Sequence, residues 1–122
     1  EAGIGPEQIQ VAEIHDAFAP FEMMGLRDLQ LASNFDDMRR KALAGYYDPH
    51  GALPINASGG LKARGHPVGA SGLAQVVELT AFLRGESFCD YSDKRYAAAL
   101  SIGGLASLNY VTLLKNHNSR GL

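Results

Sequence analysis

Apolar residues in this chain fall into short blocks, and their spacing separates strands from helices. Residues 11–14 are an apolar run broken only by Glu13, the pattern of a short strand in a parallel or mixed sheet. Phe21, Met24, Leu26 or Leu29, and Leu31 then recur near helical spacing, with Glu22, Arg27, Asp28 and Gln30 elsewhere. This predicts an amphipathic helix over residues 20–31, with Met23 and Met24 serving packing. A second helix is expected over residues 36–44, closed by Gly45, its charged run Asp36 to Lys41 forming a solvated face. Residues 73–84 are apolar nearly all round, which predicts a helix buried on all sides. Residues 96–102 and 107–114 have strand length, and the glycine pair Gly103-Gly104 between them predicts an antiparallel pair.

Punctuation fills the gaps. Pro6 opens a short helical turn over residues 6–9. Asp-Pro, His-Gly and Leu-Pro steps make residues 46–54 a loop, with His50 a surface residue in it. Residues 86–95 are polar and irregular, and residues 115–122 are a polar tail expected to fray. These elements predict an α/β fold; the sheet is expected to be mixed, with about four or five strands, three of them those just named, and helices on its faces.

The stretch from Asn56 to Gly72 carries glycine far above the ordinary rate and places His66 between Gly65 and Pro67. A backbone needs glycine where φ turns positive or where it approaches another group closely. A histidine presented there, just ahead of a buried helix, is a candidate general base. His15, directly after the first strand, is a second candidate, because α/β proteins place ligand contacts at strand ends. Asp16 beside it reads equally well as a helix cap. Ser101-Ile102-Gly103-Gly104 forms a third polar corner. Each is weak alone, since a buried, hydrogen-bonded histidine and a glycine turn are both common. The glycine run lacks the G-x-x-x-x-G-K-[ST] pattern and sits in no strand–turn–helix dinucleotide unit, which argues against nucleotide binding.

The chain has 122 residues, 46% apolar and 20% charged, within the range of one ordinary globular domain. A net charge of -2 gives no reason to expect a nucleic-acid or membrane partner. Cys89 is the single cysteine, which excludes an internal disulfide and a cysteine-based metal site; a reducing, cytoplasmic setting is the default expectation. No apolar stretch approaches the roughly 20 residues that span a bilayer. The opening Glu1-Ala2-Gly3-Ile4-Gly5-Pro6 reads like the tail of a helix ending at glycine, so the whole chain is expected to be one piece of a larger two-domain protein.

Taken together, four blocks carry a family resemblance. Glu13-Ile14-His15-Asp16-Ala17-Phe18-Ala19 resembles an N-E-A-F-A block in its H-D-x-F form. Ile55-Asn56-Ala57-Ser58-Gly59-Gly60 resembles I-N-P-S-G-G. Gly65-His66-Pro67-Val68-Gly69-Ala70-Ser71-Gly72 matches G-H-P-x-G-A-S-G, and Ser101-Ile102-Gly103-Gly104 resembles C-x-G-G. In this order they resemble the C-terminal half of a thiolase, in the branch of the sterol-carrier-protein thiolases and the lipid-transfer-protein-like acetyl-CoA acetyltransferases.

The resemblance implies an acyltransferase acting on acyl-CoA thioesters, with coenzyme A entering as substrate and no separate cofactor or metal. His66 matches the histidine that activates the family's nucleophilic cysteine and donates to the thioester oxygen. His15 stands where an asparagine usually holds a water in the same oxyanion hole. Gly103 would offer a backbone N–H to a second oxyanion hole, and Gly104, Asn56, Gly65 and Phe18 would border the substrate. The helix over residues 73–84 would lie between the sheets of two halves. The implied partners are an N-terminal thiolase half, further copies in a homo-oligomer or heteromer, and in some assemblies an OB-fold protein.

Two departures follow. The nucleophilic cysteine belongs to the N-terminal half, and Cys89, in a polar stretch, matches no catalytic block. Ser101 replaces the C-x-G-G cysteine, whose thiol near ~8.5 can exchange protons around neutrality where a serine hydroxyl cannot. The resemblance therefore implies an enzyme half that is inactive alone. It also leaves open a retro-aldolase acting on a β-hydroxyacyl-CoA and a non-catalytic subunit of a thiolase-like heteromer.

Overall fold

The structure, a computed structural model, describes residues 2–104 and 106–117. After a 3-10 turn at Pro6–Gln8, the chain runs β1 (Val11–Ile14), α1 (Ala19–Asp28), α2 (Phe35–Leu43), α3 (Gly60–Arg64), α4 (Ser71–Arg84), β2 (Tyr96–Gly103) and β3 (Leu108–Lys115). The strands form one mixed sheet in the order β1-β2-β3. β1 pairs parallel with β2 from Val11 opposite Ala97 to Ile14 opposite Leu100, and β2 pairs antiparallel with β3. A parallel bridge between Ala12 and Ile55 adds one rung beyond β1. Among the described residues the sheet thus has three strands where about four or five were expected.

Helices cover both faces of β1 and β2, whose side chains alternate between them, whereas β3 is exposed along nearly its whole length. Val11, Ala97 and Ala99 point to one side and pack with Leu79, Phe82 and Leu83 of α4. Ala12, Ile14, Ala98 and Leu100 point to the other and pack with Leu26 and Met38 of α1 and α2. Alanine dominates β2, so helices can sit close. At Gly25, α1 comes so near the sheet that a Cβ there would lie 2.5 Å from Ile14 Cγ2.

The boundaries of α1 and α2 differ slightly from the expected ones, for local reasons. α1 ends at Asp28, because Gln30 turns left-handed (φ 57°) and Leu31 folds back to donate to the Leu26 carbonyl at 2.9 Å. α2 starts one residue early because Asn34 caps it, accepting the Asp37 N–H at 2.8 Å. α3 lies inside the stretch read as irregular glycine-rich backbone. Gly59 and Gly60, both at positive φ, turn the chain into it.

α4 is buried on one side only. Leu79 and Phe82 are fully covered, whereas Leu73 is 67% and Val77 59% exposed on the outer face. Cys89 is also not in the polar setting its neighbours suggested; it is buried with Phe82 and Tyr91. The tail expected to fray lies outside the described residues from 118 onward. Among the described residues no helix is long and apolar enough to cross a membrane.

Candidate active site

The site is built from the carboxyl end of β1, which holds the loop carrying His66. Glu13, fully buried in β1, accepts from the Ser58 N–H at 3.1 Å and from Ser58 Oγ at 2.6 Å. Arg64 Nη1 donates to Ser58 Oγ at 2.8 Å and lies 3.4 Å from Glu13 Oε2. Burial pushes the Glu13 carboxyl above its ordinary 4.5, and Ser58 and Arg64 only partly offset it. Asp16 Oδ1 accepts the Leu61 N–H at 2.8 Å. Asp16 is therefore a cap, but of α3 rather than of the helix that follows it in sequence.

His15, 4% exposed, donates its backbone N–H to the Leu100 carbonyl at 2.9 Å, while its side-chain Nδ1 has no hydrogen-bond partner among the described residues. Its ring meets the His66 ring edge to face, with centroids 5.0 Å apart and an interplanar angle of 79°. Burial holds the His15 imidazole below its ordinary 6.5; nearby His66 pushes the same way and Asp16 opposes. His66 itself is exposed, with Nδ1 2.6 Å from Ser71 Oγ at the start of α4.

Both histidines open onto one cleft of about 340 Å³ that Phe18, Lys62, Gly103 and Gly104 also line. The end of β1, the loop after α3 and the end of β2 thus converge there. An exposed imidazole beside a buried, neutral one, with lysine near and glycine backbone opposite, can exchange a proton with a thiol and donate to a carbonyl oxygen.

Five of the anticipated residues meet at this cleft: His15, His66, Phe18, Gly103 and Gly104. Three do not line it. Asn56 lies behind β1, its Oδ1 accepting the Ile14 N–H at 2.7 Å and its Nδ2 donating to Glu22 Oε1 at 3.0 Å. Its amide is used up in tying the loop to β1 and α1, so a substrate contact is not what this geometry offers. Gly65, at φ 85°, turns the chain ahead of His66 without lining the cleft. Ser101 alternates onto the α4 side of β2, against Gly72, and its hydroxyl has no hydrogen-bond partner among the described residues.

Residues 1–116 match the family described as thiolase C-terminal domain-like. The chain belongs to that family. The domain is similar to an acetyl-CoA acetyltransferase of Methanothermobacter thermautotrophicus, 40% identical over 86 residues, covering 70% of this chain and 22% of the relative. It is also similar to sterol carrier protein 2 of Rattus norvegicus, 40% identical over 89 residues, covering 71% of this chain and 16% of that protein. A benzoylsuccinyl-CoA thiolase subunit of Thauera aromatica is 38% identical over 77 residues, covering 62% of this chain and 20% of the subunit. This thiolase C-terminal domain therefore spans about a fifth of the length of these relatives.

Three parts of the domain's site escaped the sequence reading. Glu13 left a signal, a charge inside an apolar strand, that points to a buried partner. Ser71 stood inside the matched G-H-P-x-G-A-S-G block without a role of its own, and Lys62 left no signal, because nothing in its local pattern distinguishes it from an ordinary helix residue.

Proposed function

We propose that this domain supplies the histidine-bearing wall of an acyl-CoA acyltransferase site, completed by an N-terminal thiolase half that brings the nucleophilic cysteine. The observation that carries the reading is the 5.0 Å contact between His15 and His66 over a cleft shared with Gly103 and Gly104. His66 takes the proton of that cysteine, and the histidine pair donates to the thioester oxygen as negative charge develops there. Gly103 offers backbone N–H close to the second carbonyl. Coenzyme A enters as part of the substrate, with no further cofactor. The outer face of α4 meets the N-terminal half, and the assembly is a homo-oligomer or heteromer.

A second reading is favoured by Ser101. Its hydroxyl faces Gly72 and has no hydrogen-bond partner among the described residues, so it is a poor stand-in for a proton-exchanging thiol. A thiolase-fold retro-aldolase acting on a β-hydroxyacyl-CoA has less need of that thiol.

The test is to mix the chain with an acyl-CoA, alone and with an N-terminal thiolase half, and to follow CoA release and covalent acylation. The chain alone should give neither. In the assembled protein, His66→Ala should lower turnover on the order of 10²–10⁴-fold. Turnover by the chain alone, or an unchanged rate in the assembled variant, overturns the proposal; in the second case the domain is a non-catalytic subunit. A β-hydroxyacyl-CoA substrate cleaved in place of a β-ketoacyl-CoA selects the retro-aldolase.

A further inference from the structure

Ser71 opens α4 and is buried, yet it caps nothing: the N-cap position is Ala70. Its Oγ makes two contacts instead. One is to Nδ1 of His66 at 2.6 Å, and the other is to the carbonyl oxygen of Pro67 at 3.2 Å. A serine hydroxyl carries a single hydrogen. The Pro67 carbonyl already accepts the Ala70 and Ser71 N–H groups at 2.7 and 3.0 Å; since a carbonyl oxygen can only accept, its contact with Ser71 Oγ is attractive only when the hydroxyl hydrogen points there. The short contact to His66 is then satisfied only if Nδ1 carries the proton and donates to Ser71 Oγ. Back-bonding of this kind, from a helix serine to the carbonyl four residues earlier, is a common local pattern.

We propose that Ser71 is a positioning residue, which holds His66 in the Nδ1–H tautomer and leaves the Nε2 lone pair as the proton acceptor on the cleft side. The inference rests on the reading of His66 as the base, and it adds what sets that base. When Nε2 takes a proton from a thiol, the ring becomes an imidazolium whose Nδ1–H still donates to Ser71. The hydrogen bond is therefore common to the neutral base and its conjugate acid, and no side chain must turn as the proton comes and goes. An imidazole without such a partner favours the opposite tautomer, with the hydrogen on Nε2 and no lone pair there. The contact also fixes the ring's rotation, which matters because His66 is otherwise exposed on glycine-rich backbone.

The tautomer can be read directly. Two-bond proton–nitrogen correlation spectra of the chain labelled with 15N-histidine distinguish Nδ1–H from Nε2–H, and the His66 signals are assigned by their loss in His66→Gln. The chain itself should show the Nδ1–H pattern at alkaline pH. Ser71→Ala should shift His66 towards the Nε2–H form, and Ser71→Thr, which keeps the hydroxyl, should retain the original pattern. An Nε2–H pattern in the unaltered chain, or an unchanged pattern in Ser71→Ala, overturns the proposal. If Ser71→Ala does not fold, the unaltered chain and Ser71→Thr still decide it. In the assembled protein, Ser71→Ala should reduce kcat at least about tenfold with KM nearly unchanged, and Ser71→Thr should restore most of it. A correct tautomer without acyl transfer by the assembly would leave this inference standing and remove the acyltransferase reading.

Discussion

The carboxylate of Asp16, at the end of β1, accepts the backbone N–H of Leu61 at 2.8 Å and so caps α3, a helix far along the chain. Gly60 completes the joint: at φ 65° it leaves no room for a Cβ, which would collide with Asp16 Oδ2. The two residues lock the segment just after β1, which bears His15, to the one that leads to His66.

Removing that lock should loosen the site before it unfolds the domain. Asp16→Ala leaves the Leu61 N–H buried without an acceptor, and should cost about 1–3 kcal/mol in urea unfolding. Asp16→Asn keeps an acceptor oxygen and should cost less. Equal losses in the two variants would show that the hydrogen bond is not what matters.

Glu13 should impose a pH dependence of its own. Its folded pKa is raised by burial, so the native state holds the proton over a window where the unfolded chain has released it. The group's contribution is fully present below its ordinary 4.5 and is lost as pH rises through the higher folded value. Glu13→Gln should remove this slope. Urea midpoints from about pH 4 to about pH 7 in both chains provide the check, and parallel profiles would rule Glu13 out.

His15 shifts the other way. Its folded pKa is lowered, so the unfolded chain takes up the proton first as pH falls. Its contribution is present above 6.5 and is lost as pH falls through the lower folded value. In a nuclear magnetic resonance titration His15 should titrate below 6.5, and His66→Ala should move it only part of the way back, because burial is the larger cause. A full return to the ordinary value would make His66, not burial, the controlling neighbour.

Gly72 and Ser101 touch across the α4–β2 seam. A Cβ on Gly72 would lie 2.6 Å from Ser101 Oγ and 3.0 Å from Ser101 Cβ. Gly72→Ala should therefore destabilise by about 1–3 kcal/mol, although alanine favours the helix more than glycine does. In a Ser101→Gly background the same change should be close to neutral. Denaturation of the four chains of that cycle gives the coupling directly, and additive effects would disprove the contact.

How far the sequence could be read depended on whether a feature was local. Strand β1 followed from its apolar run, and β2 with β3 from two strand-length blocks around a glycine pair. Helix α1 followed from its spacing, α2 from a charged face closed by Gly45, and α4 from an apolar run of helical length. α3 did not, because its five residues, opened by Gly59 and Gly60, carry no apolar period, and what caps it is Asp16, remote in sequence. The open face of α4 was also invisible to periodicity. Leu73 and Val77 are apolar whether or not anything covers them.

By itself the sequence determined the local grammar: which stretches extend, which coil, where the chain must turn, and which polar residues stand at strand ends and glycine corners. Its matching blocks also marked the family. Only the tertiary structure decided which of those residues meet. It brought His15 and His66 to one cleft with Gly103, sent the Ser101 hydroxyl to the α4 side of the sheet, and spent the Asn56 amide on β1 and α1. The reason is physical. A side chain's facing is set by strand alternation and by which helix packs on which side, and its free hydrogen-bonding capacity by neighbours remote in sequence.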